Sequence, residues 1–445
     1  AVGAAMANHP WPAEMDMFEP NVTALLWFEK APALKVIADA WETHAWRSHR
    51  FNCCIENGAW VPRHSQMDRS YHFNEKVVQS EAEIEEAAAV HQLTALNPNY
   101  PRWQVTILRA PMPSNSAVLI NAHHALGDGL GMLFALSPLM GVEGGNPLSK
   151  VPLPSAVLPP WARQPRQMQE RPAQNAPARM NPLSLFRCFT TVCSCFKNFF
   201  RGLLVSILTK HDSPLSINEP LARRDPLLRN TGRRKLTRFP PVPMQAIKAI
   251  REKYDYSVSM NDVVMAAITG AMRKYAIDVR DDRMLAEGVT QVEFKSLVML
   301  ALPRTVDETD LTKSLCNKIL FSSTRLPISE TSPRERLLKT KAACDDLKSA
   351  AYMTGLKGFT DFISGIAPRS LLNKAAGETW SKHSLCVTNV PTTSVPMTWP
   401  AEGGELVREV SIVIANVMSQ ISVVTYNGEI FATLMADPEL IPQAE

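Results

Sequence analysis

A chain of 445 residues with 45% hydrophobic content is long enough to bury two substantial cores, so two domains are the default expectation. Its formal net charge of +4 is small, and its basic residues are scattered apart from Arg223-Arg224 and Arg233-Arg234-Lys235, which leaves no electrostatic footprint for nucleic acid. Eight cysteines without regular spacing, Cys53-Cys54 among them, and no paired Cys/His clusters argue against a disulfide scaffold and a metal site, and for a reducing cytosolic setting.

No secretory signal is visible at Ala1, and the missing initiating Met is what a fragment or a processed form would show. Pro32–Trp46 reads as an amphipathic helix, and Ser80-Glu-Ala-Glu83 as a capping box opening a helix that runs toward Leu93. Two strands follow, Gln104–Leu108 and Ala117–Ile120, joined by the turn-rich Pro111–Ser116 and expected to pair. The second is a short apolar run that ends at Asn121-Ala-His123-His124-Ala-Leu-Gly-Asp128-Gly129, before a helix-like stretch, Leu130–Leu139. A histidine held at a strand end can take a proton from an alcohol near neutral pH, and His124 is the candidate base. His123 reads as a tautomer-fixing or packing residue. Asp128, closing the turn, reads as a carboxylate that pairs with an arginine or caps backbone amides.

Prolines crowd Val151–Pro182, so the region 147–234 reads as an exposed crossover between a first domain at 1–146 and a second at 235–445. Inside it, Leu185–Leu204 is too interrupted by cations to span a membrane. As a helix it would place Arg187, Thr190, Thr191, Ser194, Lys197, Asn198 and Arg201 on one side, and Phe189, Val192, Phe196, Phe199, Phe200 and Leu203 on the other. A cationic stripe opposite an aromatic face suits a helix lying in a membrane or lipid-droplet surface. The alternative is that the same face packs on its own protein or on a second subunit, as in a homodimer.

The second half opens at Lys235–Pro240, with a helix expected over Met244–Lys253. Ser259 and Asp262 form a capping-box-like pair that places Asn261 and Asp262 in the first turn of a helix reaching Tyr275. Asn261 there either orients a carbonyl and the histidine loop or simply caps the helix. Lys295–Leu302 reads as a buried strand delivering Arg304, the arginine proposed to pair with Asp128. Val410–Ala415 and Gln420–Tyr426 are β-branched runs, and Asn427-Gly428 is a hairpin turn into Glu429–Met435, a sheet that closes the second domain.

These motifs resemble, nearly end to end, those of the wax ester synthase/acyl-CoA:diacylglycerol acyltransferase family, within the acyltransferases that carry His-His-x-x-x-Asp-Gly. Pro101-Arg102-Trp103 stands where the family has Pro-Leu-Trp, and Ser259-Met-Asn261-Asp262-Val-Val264 is similar to its Asn-Asp helix start. Asn389-Val-Pro391 resembles its Ser-Asn-Val-Pro-Gly segment, Ala301-Leu-Pro303-Arg304 its strand end, and Cys316-Asn317 its Gly-Asn. Ile421–Gly428 and Ala436-Asp437-Pro438 are similar to its closing hairpin, and departures at Arg102, Cys316, Thr388 and Thr392 mark a divergent member. The resemblance implies an α/β fold of two chloramphenicol acetyltransferase-like domains, mixed sheets flanked by helices, with the active site in the tunnel between them. It further implies transfer of a long-chain acyl group from acyl-CoA to a fatty alcohol or diacylglycerol. His124, His123, Asp128 and Gly129 would be catalytic and Trp103, Asn261, Asp262 and Asn389 substrate-binding, with acyl-CoA as co-substrate and no metal or other cofactor. The absence of a Gly-x-Ser-x-Gly elbow favours direct transfer. A peripheral position on the cytoplasmic side of an intracellular membrane, endoplasmic reticulum or lipid droplet in a eukaryote, follows from helix 185–204. The rival readings are transfer to a small alcohol or amine or from a carrier-bound donor, and a non-catalytic lipid-binding or tethering protein.

Overall fold

The computed structural model describes residues 21–142 (except 48–49, 57–58 and 63–65), 146–147, 233–278, 294–302, 315–348, 383–414 and 419–438, with a few positions in 353–368 and 441–442. Helix 185–204, with all seven of its proposed membrane residues, and Arg304 lie outside these residues.

The first half contains β1 (Asn21–Phe28), α1 (Leu34–His44), the hairpin β2 (Cys53–Glu56) and β3 (Ala59–Pro62), and the short α2 (Arg69–His72). β4 (Phe73–Val77), α3 (Glu81–Leu93), β5 (Trp103–Arg109), β6 (Ser116–His123), α4 (Gly129–Leu136), β7 (Gly141–Val142) and β8 (Asn146–Pro147) complete it. The second half runs β9 (Lys235–Arg238), β10 (Val242–Pro243), α5 (Met244–Glu252), α6 (Met260–Asp278), β11 (Phe294–Ala301), β12 (Ile319–Leu326) and α7 (Pro333–Lys348). It ends in β13 (Leu385–Pro391), β14 (Met397–Trp399), β15 (Glu405–Leu406), β16 (Glu409–Ile414), β17 (Ser419–Tyr426) and β18 (Glu429–Ala436).

Both capping boxes form as the sequence prescribes. Glu83 N–H donates to Ser80 Oγ and the Glu83 carboxylate accepts from Gln79 N–H, one residue before the cap, while at the start of α6 Asp262 N–H donates to Ser259 Oγ and the Asp262 carboxylate accepts from Ser259 N–H itself. Asn427 and Gly428 both take positive φ, 48° and 77°, the signature of a type I′ turn between β17 and β18.

The strands form two main sheets. The second has the order β10-β18-β17-β13-β11-β12, with β9 also on β18, and α6 and α7 cover its face. The first has the order β16-β1-β6-β5-β4. Its outer strand corrects the sequence reading: β16, expected in the closing sheet of the second domain, pairs antiparallel with β1 from Val22↔Ile414 to Trp27↔Glu409. Alternation alone marks such a segment as a strand without saying whose edge it completes. The two halves are therefore joined through a shared sheet as well as the chain.

Arg238 of β9 ties that junction. Its guanidinium lies 3.7 Å from the Trp27 ring centroid and pairs with Glu81, with Glu85 at 2.7 Å and with Glu409 at 3.1 Å, so that one side chain grips α3, β1 and β16. Arg238→Met leaves three carboxylates around an uncharged stem, and a loss of about 3 kcal/mol is expected from the denaturant midpoint. An unchanged midpoint would assign the junction to apolar packing alone.

Candidate active site

β6 is buried on both faces and delivers His123 at its end. The chain then turns through His124–Gly127 into α4, whose N-cap is Asp128. His123 is held in place: its N–H donates to the Arg102 carbonyl at 3.0 Å, and its Nδ1 accepts from Ala125 N–H at 3.1 Å. Burial, with Arg102 and His124 nearby, pulls its pKa down to about 3, so it stays neutral and serves the turn.

His124 is held from the other half of the chain. Nδ1 lies 3.0 Å from Asn317 Oδ1, and Asn317 Nδ2 donates to the His124 carbonyl at 2.7 Å across 193 residues of sequence. The carbonyl can only accept, so the amide nitrogen must face it and the amide oxygen must face Nδ1. Nδ1 therefore carries the hydrogen, and Nε2 keeps its lone pair. Burial lowers the pKa of His124, opposed by a hydrogen bond to its own carbonyl, the Asp128 carboxylate and Asn317. The arrangement is a neutral imidazole oriented as a base.

Asp128 accepts from Gly131 N–H at 2.8 Å with one oxygen and from Lys318 N–H at 2.7 Å with the other, and its own N–H donates to the Cys316 carbonyl at 3.2 Å. The carboxylate thus caps α4 and pins the turn to the segment Leu315–Lys318. Gly129 sits where a Cβ would come within 3.1 Å of Val390 Cγ2, so a larger residue there would have to displace the Val390 side chain on β13. Its N–H, in the first turn of α4, has no acceptor among the described residues.

The structure also brings together two residues read separately from the sequence. Asn389 Nδ2 donates to Asn261 Oδ1 at 2.6 Å, and Val390, next along β13, abuts Gly129. Asp262 is buried and spent on the capping box. Trp103, read as substrate-binding, is instead fully buried: it stacks on Trp41 at 4.7 Å and on His72 at 3.9 Å, and its Nε1–H donates to the Phe51 carbonyl at 2.9 Å. Its place at the start of β5, inside a ring of aromatic side chains, makes it a core residue beneath the catalytic strand.

Two residues were missed by the sequence reading. Arg50 donates from Nη1 to the Leu126 carbonyl at 2.9 Å, bracing the turn from the β2–β3 side. Asn317 carried only a motif resemblance, and nothing local to it signalled a histidine partner. Asn317→Ala is expected to lower kcat by about tenfold or more through loss of tautomer control, with KM little changed. Asn317→Asp should move the acid limb of the rate profile to higher pH, because a carboxylate favours the imidazolium. Identical pH profiles for the protein and the aspartate variant would refute this role.

Among the described residues no cluster of His, Cys, Asp and Glu could hold a metal ion, and no helix is long and apolar enough to cross a membrane.

Comparison with known proteins bears on the family and the fold. The wax ester synthase/diacylglycerol acyltransferase catalytic domain matches residues 14–264, and the C-terminal domain of the same family matches 315–445. The wax ester synthase/diacylglycerol acyltransferase from Marinobacter aquaeolei VT8 superposes with a TM-score of 0.60 at 16% identity, over 96% of this chain and 91% of that one. The first condensation domain of the CDA synthetase follows at TM-score 0.55 and 11% identity, covering 98% and 88%. SgcC5 from Streptomyces globisporus gives 0.51 and 14%, covering 98% and 92%. No match was found among curated protein sequences. With the catalytic-domain match spanning more than half of its length and placing His124 and Asp128 inside it, the chain belongs to the wax ester synthase/diacylglycerol acyltransferase family and is an acyltransferase.

Proposed function

We propose that this acyltransferase moves a long-chain acyl group from acyl-CoA directly to the hydroxyl of a fatty alcohol or of diacylglycerol, with His124 as general base. The observation that carries the reading is the Asn317 bond to Nδ1, which leaves Nε2 as the proton acceptor. As the alcohol oxygen attacks the thioester carbon, its proton passes to Nε2 and the carbonyl oxygen gains the charge. The N–H of Gly129, which has no acceptor among the described residues, supplies a donor for that oxyanion. Collapse breaks the C–S bond, and the imidazolium returns the proton to the leaving CoA sulfur. Ester and thiol balance alcohol and thioester without a redox group or metal, so acyl-CoA is the sole co-substrate required. A buried imidazole with a lowered pKa stays neutral below the usual value near 6.5, so the acid limb of kcat/KM should lie below that pH.

The test is thiol release from hexadecanoyl-CoA, with hexadecanol and diacylglycerol offered separately in detergent micelles and the esters separated. Acceptor-dependent ester names the preferred alcohol. Release without ester from either, or binding without release, overturns the reading in favour of a small acceptor or a lipid binder.

The lipid acceptor requires access to a lipid surface. Helix 185–204 is proposed to supply it, holding the enzyme at the cytoplasmic face of an intracellular membrane or droplet. Replacing Phe196, Phe199 and Phe200 together by Ser should shift the protein from the vesicle pellet to the supernatant in anionic liposomes. Unchanged partitioning would return that helix to packing on protein.

A further inference from the structure

Away from the catalytic turn, a serine and a histidine meet at the distance that activates a nucleophile. His383 Nε2 lies 2.8 Å from Ser323 Oγ across 60 residues of sequence. Ser323 belongs to β12, five residues beyond the Lys318 that holds Asp128, so strand rise sets it about 17 Å from that contact. The pair is a centre separate from His124.

The strands decide how the pair is held. His383 stands just before β13, where Ser384 N–H donates to the Lys295 carbonyl at 3.2 Å, and its ring reaches over to β12. His383 is 2% exposed whereas Ser323 is half-buried, so the base is fixed inside the protein while the serine keeps access to solvent. Leu297 lies directly opposite Ser323, and Lys295 opposite Arg325. Strand alternation puts Lys295, Leu297, Phe321 and Ser323 on one face, with Lys295 roughly 7–8 Å from Ser323 on the diagonal. That face carries a hydroxyl with its base, an apolar floor of Leu297 and Phe321, and a buried lysine whose charge favours an oxyanion.

The outer edge of β12 adds a donor. Leu302 N–H donates to the Lys318 carbonyl, and the register continues through Leu300↔Leu320, so the even residues of β12 bond to β11 and the odd ones turn their backbone groups to the other side. β12 ends its sheet among the described residues, and Ser323 N–H has no acceptor among them. A carbonyl oxygen brought to Ser323 Oγ finds the nucleophile's own amide as a donor, a recurring device in acyl transfer. With the ring hydrogen on Nδ1, His383 Nε2 accepts the hydroxyl proton.

We infer that Ser323 and His383 form a second acyl-transfer centre, which cleaves carboxylic esters with an apolar acyl part by way of an acyl-serine. Ser323 Oγ attacks the ester carbonyl carbon as its proton passes to His383 Nε2, and negative charge collects on the carbonyl oxygen near Ser323 N–H. Collapse breaks the bond to the alkoxy oxygen, which leaves as the alcohol with that proton. Water then attacks the acyl-serine and gives a proton to Nε2; the carboxylic acid departs, and Ser323 Oγ recovers the proton. The centre uses neither His124 nor acyl-CoA, so it stands or falls apart from the transfer reaction.

The test is labelling of the full chain with a fluorophosphonate probe, which phosphonylates activated serines, followed by mass spectrometry of the peptides. Ser323 should carry the label, at a rate that falls about tenfold or more in His383→Gln, whose amide can bond the hydroxyl but cannot take its proton. Hydrolysis of p-nitrophenyl butyrate should persist in His124→Ala and fall about tenfold or more in Ser323→Ala, with melting measured on each variant. Absence of label from Ser323 in the unaltered chain overturns the proposal without recourse to any variant. Hydrolysis that disappears with His124 and survives the loss of Ser323 overturns it as well, by assigning ester cleavage to the first centre.

Discussion

His124→Ala is expected to lose ester formation by about 10²–10⁴-fold while remaining folded, the range general-base removal typically costs. The variant deletes the imidazole of the turn that keeps its lone pair on Nε2; His123 accepts Ala125 N–H at Nδ1, so its own hydrogen sits on Nε2. The fold should survive because the lost side chain strands one acceptor, Asn317 Oδ1, and opens no large apolar cavity. Rates by product separation and melting by circular dichroism decide the matter together. A folded variant with undiminished ester formation would end the proposed mechanism, and an unfolded one would show that the imidazole is a structural keystone first.

Asp128→Ala should behave differently. Its two oxygens hold the N–H groups of Gly131 and Lys318, and Asp128 is buried. Two stranded buried donors cost about 2–6 kcal/mol, a large share of the ~5–15 kcal/mol that stabilises a typical domain. Folded yield and melting temperature should fall along with activity. Asp128→Asn, which keeps one good acceptor, should fall between. Normal melting with selective loss of rate in the alanine variant would move Asp128 from holding the turn to taking part in the chemistry.

What could be seen in the sequence was what short stretches of chain decide by themselves. The strand ending at His123, the turn through Asp128 and Gly129, the caps at Ser80 and Ser259 and the Asn427-Gly428 hairpin depend on neighbours within a few residues, and all formed as expected. The bond from His124 to Asn317 was not legible, because a side chain 193 residues away leaves no periodicity or spacing to read. Arg50 escaped for the same reason, its acceptors being backbone carbonyls that look alike from every position. Trp103 misled because a motif match carries no burial: the tryptophan stacks among Trp41, Phe51 and His72, one layer beneath the chemistry. The arginine partner proposed for Asp128, Arg304, lies outside the described residues.

The placement of β16 has a consequence for how the protein is made. β1, among the first described residues, needs Glu409–Ile414 to cover one of its edges, and those residues leave the ribosome long after β1 has done so. Until then the first sheet exposes the backbone of Val22–Trp27, an apolar edge open to any passing strand. The first half therefore cannot mature as an independent module during translation. A fragment stopped after residue 264, where the catalytic-domain match ends, would keep both histidines and the aspartate yet lack the strand that seals its own sheet.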